Sequence, residues 1–282
     1  SSQGCVSTMS VGRWVYSALL YGATPFLLGR SVWRSRTLAA HRERLNERLG
    51  WVAERPSQRP CIWLHAVSVG ETIAARPLVD CLLNTYPEYD IWITSTTLTG
   101  SQTVQRLWGK QVLHSYIGYD LPDVVARLMQ RINPAMVLIM ETELWPNLYA
   151  RCQAQSIPLL LINARLSERS FRGYRKLSSL VSETLQAVQL VAARSPQDAH
   201  YFQALGVPAE RVKITGNIKF DLTLSALLPQ QGQVLRQSWG INRPVWVAAS
   251  THEGEDEQLL QVFSELKSHY PELLLILVPR HP

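Results

Sequence analysis

Cysteine, charge and long apolar runs are all scarce in this sequence. Four cysteines in 282 residues, Cys5, Cys61, Cys81 and Cys152, are too few for a disulfide scaffold, and without a CxxC pair they offer no zinc site. Thiols this sparse suit a reducing, cytoplasmic compartment. Neither a G-x-x-x-x-G-K-[ST] loop nor a G-x-G-x-x-G turn occurs, which argues against P-loop NTPases and the common dinucleotide enzymes. Charged side chains make up only 18% of the chain, and repeats and low-complexity tracts are missing. What is present is 46% hydrophobic content over a length that favours two domains, enough to bury a full core.

A formal net charge of +6 invites a nucleic-acid reading until the charge is located. Residues 30–59 hold Arg30, Arg34, Arg36, Arg42, Arg44, Arg48, Arg55 and Arg59 against Glu43, Glu47 and Glu54, a net of +5, and Arg13 supplies the sixth charge. From residue 60 onward, 19 basic residues balance 19 acidic ones. The body is neutral, so nucleic acid loses its main support as a partner.

Directly before the basic segment runs WVYSALLYGATPFLL, residues 14–28, uncharged between Arg13 and Arg30. A straight spanning helix needs about 20 apolar residues, so the stretch is short, and Pro25 is expected to interrupt it. Trp14, Tyr16, Tyr21 and Trp33 near its ends are residues that favour headgroup depth. The expectation is a single N-terminal membrane anchor, either dipping into one leaflet or spanning marginally, with the following arginines against anionic lipid on the cytoplasmic side. A cleaved signal peptide fits less well, because RSVWRSR follows where a small-residue cleavage site belongs. A buried core helix or a partner-binding helix is the remaining alternative.

From residue 60 the pattern changes to nine short apolar runs, at 61–67, 90–96, 110–116, 135–141, 157–164, 185–193, 211–216, 245–250 and 273–278, separated by helical stretches. Runs of this kind read as parallel strands buried on both faces, hence an α/β, doubly wound chain. The expected organisation is a tail and anchor over residues 1–35, a Rossmann-like domain over 36–210, and the first part of a second such domain over 211–282. Residues 225–233 read as a mobile loop.

In sheets of this type, ligands gather at the carboxyl ends of the strands, so the polar residues there are the candidates for function. SVGE (68–71) follows the first strand and leads into a helix expected to run from Thr72 to about Leu83. Gly70 permits close backbone approach, and Glu71 is either a catalytic carboxylate or an ordinary first-turn residue favoured by the helix dipole. METELWPN (140–147) puts Glu141 at the end of the fourth strand, where burying a carboxylate requires compensation; a structural ion pair with Arg165 is the plain alternative. His65 reads as a satisfied core histidine, and Trp145 with Pro146 as a helix start. Beyond residue 210, TGNIKFD (215–221) presents Lys219. STHEGE (250–255) offers Ser250 and Thr251 to a phosphate, or else forms a capping box, and PRHP (279–282) carries Arg280.

Taken in order, SVGE (68–71), ETELWPN (141–147), NARLS (163–167), GNIKFD (216–221), STHEGE (250–255) and PRHP (279–282) resemble the 3-deoxy-D-manno-octulosonic acid (Kdo) transferases. Each motif is weak alone, but six in sequence after a short basic anchor are specific, and the resemblance runs from about residue 16 to the end. It implies a GT-B glycosyltransferase, two Rossmann-like domains facing across a cleft, the second one incomplete here because members continue well past PRHP. It further implies transfer of Kdo from CMP-Kdo to lipid IVA, in lipopolysaccharide core biosynthesis, at the cytoplasmic face of the inner membrane, with no metal or other cofactor. By residue-wise correspondence, Glu71 is the general base, Glu141 and Lys219 stabilise the transition state, and Pro279 and Arg280 contact CMP; Ser250 and Thr251 are further candidates for the donor phosphate. The competing readings are an inactive membrane-associated remnant or lipid-binding protein, and another GT-B enzyme such as a nucleotide-sugar epimerase.

Overall fold

The computed structural model describes residues 9–35, 44–221 and 227–280. Cys5, residues 36–43 with Arg36 and Arg42 of the basic segment, and His281 and Pro282 of the last motif lie outside the described residues. The chain divides into two compact units, residues 1–222 and 223–282.

All nine expected strands form. In the first unit, β1 (Cys61–His65), β2 (Asp90–Ser95), β3 (Leu113–Tyr116), β4 (Met136–Met140), β5 (Leu159–Ala164), β6 (Leu190–Ala193) and β7 (Val212–Ile214) make one parallel sheet in the order β3-β2-β1-β4-β5-β6-β7. Alternate residues of the central strands feed two cores, Trp63, Val137, Ile139 and Leu161 on one face and Leu64, Ile93, Leu138 and Met140 on the other. That burial on both faces is what continuous apolar runs require. The two strand tryptophans satisfy their indole N–H groups inside the sheet, Trp63 donating to Thr94 Oγ1 (2.9 Å) and Trp92 to Ser115 Oγ (3.0 Å). Strand order reverses between β1 and β4, which makes the carboxyl ends of those two strands the topological switch point.

The connecting helices are α1 (Val11–Ser35), α2 (Val69–Ala74), α3 (Arg76–Thr85), α4 (Leu98–Trp108), α5 (Pro122–Ile132), α6 (Pro146–Ala154), α7 (Glu168–Lys176), α8 (Ser178–Gln186) and α9 (Pro196–Ala204). The single helix expected from Thr72 to Leu83 is two, divided at Ala75, with a proline seated in the first turn of α3, where its missing N–H is not needed.

Three expectations on organisation are corrected. The boundary placed at residue 211 belongs near 222, because β7 completes the first sheet by pairing with β6 (Val191 with Val212, Ala193 with Ile214), and a strand cannot leave the sheet that holds its hydrogen bonds. Lys219 therefore sits in the first unit. Residues 227–233, read as loop, are the start of a helix. And α1 continues through Pro25 as part of the first unit, packed on α6 and α8 rather than standing apart as an anchor.

The orientation of α1 inverts the usual pattern. Its polar side faces protein: Ser17 is buried against Asn147 (3.0 Å from Asn147 Nδ2), Tyr16 is hydrogen-bonded with Asp120, Ser10 with Glu183, and Tyr21 donates to Asp123 (2.6 Å). Its apolar side faces outward: Trp14, Leu19 and Phe26 are 62%, 70% and 73% exposed, with Val11 and Val15 beside them. Among the described residues no helix is long and apolar enough to cross a membrane.

The second unit holds α10 (Leu227–Trp239), β8 (Val245–Thr251), α11 (Glu255–His269) and β9 (Leu274–Pro279), with β8 and β9 paired in parallel. Val247, Leu260, Val262 and Val278 of this unit are about half exposed.

Candidate active site

The residues after β1, β4, β5 and β6 converge on one cleft of about 320 Å³ at the switch point, with Glu71, Glu141, Glu143, Arg165, Tyr174 and Arg194 in its walls. Glu71 reaches it from the first turn of α2. Ser68 caps that helix by accepting from the Glu71 N–H (3.4 Å), and the Glu71 carboxylate folds back to accept from the Val67 N–H (2.8 Å) and the Ser68 hydroxyl (3.3 Å). The arrangement resembles a capping box whose carboxylate reaches one residue beyond the cap, so the plain first-turn reading of Glu71 is correct locally. The same geometry leaves the carboxylate facing the cleft. Burial pushes its pKa up to about 7, the Glu141 and Glu143 charges add to that, and the Val67 N–H opposes it.

Glu141 sits immediately past β4 with φ of +56°, a left-handed conformation that is strained for a residue with a side chain, and its N–H is tied to Ile162 O (2.9 Å). Its carboxylate is paired with Arg165, Nε to Oε2 at 2.8 Å, which is the structural ion pair weighed above. Asn163, at the end of β5, adopts a similar left-handed turn with φ of +52°. Glu143 is largely buried, and that burial raises its pKa, with Glu141 adding to the effect.

Of two further expectations about neighbours, the helix start at Pro146 holds and the satisfied core histidine holds in part. His65 is fully buried, its Nδ1 2.9 Å from Thr94 Oγ1 and its ring edge-on to Trp145 at 5.5 Å; burial lowers its pKa to about 4, so it is a neutral core histidine, but its Nε2 is buried without a hydrogen-bond partner among the described residues. Pro146 opens α6, and the N–H groups of Asn147 and Leu148 behind it are capped by the two oxygens of Asp120, each at 2.9 Å. That capping carboxylate lies 27 residues away in the chain, which no local motif signals.

Lys219 is exposed on a 3-10 turn (Ile218–Asp221) whose Ile218 N–H is held by Asn163 Oδ1 (3.2 Å), and its side chain is not part of the cleft wall. In the second unit, Ser250 and Thr251 end β8 beside Pro279 and Arg280 at the end of β9: Thr251 is in register with Pro279, and the Arg280 N–H donates to Thr251 O (3.0 Å). Ser250 has φ of +61°, and the Thr251 hydroxyl is buried without a hydrogen-bond partner among the described residues. Glu255 accepts from the His252 N–H (2.8 Å), but the helix is capped at Gly254 without a side-chain bond, so the capping box weighed for Ser250 or Thr251 does not form. Among the described residues no group of three or more His, Cys, Asp or Glu side chains is arranged to hold a metal ion. Sequence reasoning passed over Tyr174, Arg194 and Asp198. Arg194 had a usable signal, since it directly follows β6 and the strand-end rule applied to it as to the others.

Residues 43–222 match the family model described as "3-Deoxy-D-manno-octulosonic-acid transferase (kdotransferase)", a span that ends where the first unit ends. A 3-deoxy-D-manno-octulosonic acid transferase of Haemophilus influenzae is 41% identical over 96% of this chain. The chain belongs to the Kdo transferase family. It also matches the Kdo transferase of Bordetella pertussis at 35% identity over 96% of its length, and a probable mitochondrial Kdo transferase of Arabidopsis thaliana at 32% over 97%. It spans 64% of the Haemophilus protein, 65% of the Bordetella protein and 63% of the Arabidopsis protein. Among solved structures, the UDP-GlcNAc 2-epimerase of Neisseria meningitidis aligns with a TM-score of 0.53 at 15% identity, covering 77% of this chain and 64% of the epimerase, a likeness of fold alone. The parallel α/β architecture is thus GT-B-like.

Proposed function

We propose that this chain carries the acceptor side, and the beginning of the donor side, of an enzyme that transfers Kdo from CMP-Kdo to a hydroxyl of lipid IVA in lipopolysaccharide core biosynthesis. The observation that carries this reading is Glu71, a carboxylate with its pKa raised to about 7, open to a cleft at the switch point of the sheet. A sugar hydroxyl is a poor nucleophile at neutral pH. Glu71 takes its proton as the hydroxyl oxygen bonds to the anomeric carbon of Kdo, the bond from that carbon to the phosphate oxygen breaks, and CMP leaves with the electron pair. A base whose pKa lies near the working pH combines a useful deprotonated fraction with real proton affinity.

In this reading Glu141, its charge fixed in place by Arg165, faces the positive character that develops on the sugar ring. In the first unit, Lys219 is the cation offered to the phosphate charge that develops as CMP departs. In the second unit, considered by itself, Pro279 and Arg280, with Ser250 and Thr251, are the residues offered to the nucleotide. The enzyme works at the cytoplasmic face of the inner membrane. The outward apolar side of α1 supports an attachment in which the helix lies in the plane of the interface instead of crossing it. Of the basic segment expected to face the lipid, Arg44, Arg48 and Arg55 are instead engaged within the first unit, by Glu47, the Ile117 carbonyl and Asp90.

The test is Glu71→Gln in the full-length protein, assayed for Kdo transfer to lipid IVA in detergent. Loss of a general base lowers turnover by about 10²- to 10⁴-fold, while CMP-Kdo binding persists. Turnover at the wild-type rate would remove Glu71 from the reaction.

A further inference from the structure

The cleft beside Glu71 carries charges of both signs. Its acidic lining is Glu71, Glu141, Glu143 and Asp198; Arg165 and Arg194 line it as well, with the hydroxyl-bearing start of α7. Arg165 is committed to Glu141 at 2.8 Å. Asp198, the carboxylate nearest to Arg194 in sequence, is committed as well: Oδ1 accepts from the Leu166 N–H (2.7 Å) and Oδ2 from the Ser195 hydroxyl (2.5 Å), so its role is to tie α9 to the end of β5. Arg194 itself is placed rigidly, because its backbone N–H donates to Ala164 O (2.9 Å) and the next residue, Ser195, caps α9. Yet among the described residues no carboxylate lies within 4.0 Å of its guanidinium. It is a half-buried cation in a concave site, and Ser167 and Ser170, whose hydroxyls are 2.9 Å apart, line the same cleft.

A guanidinium held at the mouth of a cleft and left without a counter-ion is matched to a planar or tetrahedral oxyanion, which it binds through two parallel N–H donors. We infer that Arg194, with the Ser167 and Ser170 hydroxyls, forms an anion subsite that orients a negatively charged oxygen group of the sugar substrate in the cleft. The inference rests on the proposed transfer reaction for the identity of that substrate. Two groups share the required chemistry, a phosphate monoester on the acceptor disaccharide and the carboxylate of the Kdo unit. By aligning one of them, Arg194 acts as a positioning residue: it holds the bound sugar in register with Glu71 without itself exchanging a proton or forming a bond.

The test is calorimetric titration of wild type, Arg194→Ala and Arg194→Lys with three probes: lipid IVA in detergent, the same lipid after phosphatase treatment, and free Kdo. Loss of a charge-assisted contact is worth about 10-fold or more in affinity. If the acceptor phosphate is the ligand, the alanine variant binds lipid IVA at least about 10-fold more weakly, the phosphatase-treated lipid equally, and the lysine variant recovers part of the loss. If the sugar carboxylate is the ligand, the same loss falls on free Kdo and spares both lipids. The inference is overturned if Arg194→Ala binds lipid IVA and Kdo as tightly as wild type, or if it loses the treated and untreated lipid to the same degree, which is the mark of a merely structural residue. Wild type binding neither lipid IVA nor Kdo would refute the transfer reading together with the subsite; binding indifferent to Arg194 refutes the subsite alone.

Discussion

Replacing Glu71 with glutamine should stabilise the fold above neutral pH and do little below pH 5. The Glu71 carboxyl has a pKa displaced from an ordinary 4.5 to about 7, chiefly by burial and secondarily by Glu141 and Glu143. A folded-state pKa above the unfolded one means that the native state binds the proton more tightly. The associated stability is fully present below pH 4.5 and is lost as the pH rises through 7. At about 1.4 kcal/mol per pH unit, the displacement is worth at most about 3 kcal/mol, and since part of the carboxylate still meets solvent, a net of about 1 to 2 kcal/mol is expected. Glutamine keeps an oxygen to accept from the Val67 N–H and carries no charge to bury. Urea denaturation of this chain and of Glu71→Gln at pH 5 and at pH 8 gives four free energies. Their double difference, variant minus wild type at pH 8 less the same quantity at pH 5, should be positive by about 1 to 2 kcal/mol. A double difference of zero or below would show that Glu71 is not held in a site hostile to its charge, and the argument for a base tuned to neutral pH would fail with it.

The same carboxyl sets the pH dependence of transfer: kcat/KM should climb about tenfold per pH unit on the acid side and level off above about 7, and a rate flat from pH 5 to 8 would be incompatible with Glu71 as base. Glu141→Gln removes one of the two neighbouring charges that raise this pKa, so the acid limb should move from about 7 toward, without reaching, the ordinary 4.5; an unmoved limb would mean that the two carboxylates do not sense each other. On α1, changing Trp14, Leu19 and Phe26 together to serine should release the protein from vesicles of anionic lipid while leaving its urea midpoint within experimental error, because all three side chains point away from the first unit. Continued co-sedimentation of that variant would refute the in-plane attachment.

Much of this was legible locally. The central strands were found because β1, β2 and β4 must bury both of their faces, which writes an apolar run into the sequence; β8 and β9 carry the same kind of run although their faces are half exposed here. Residues at strand ends stood out for the complementary reason: Glu71 and Glu141 place carboxylates where only an apolar core or a ligand site awaits. What failed was anything that depends on a partner distant in the chain. The boundary at residue 211 was misplaced because the hydrogen bonds that keep β7 in the first sheet go to Val191 and its neighbours, some twenty residues earlier. The anchor was read as a separate segment because Asp120, Asn147 and Glu183, which receive the polar side of α1, lie a hundred or more residues away.

The sequence by itself determined the α/β class, the nine strands, a carboxylate at the start of the helix after β1, and, through six ordered motifs, the family. Tertiary structure alone decided that strand order reverses between β1 and β4, so that Glu71 and Glu141 meet across one cleft. It alone decided that Arg165 is consumed by Glu141 while Arg194 is left available, and that the apolar side of α1 turns outward. Local patterns record what each residue needs, a dry face, a cap or a counter-charge; which residue meets the need is settled only when strands and helices far apart in the chain compete for the same partners.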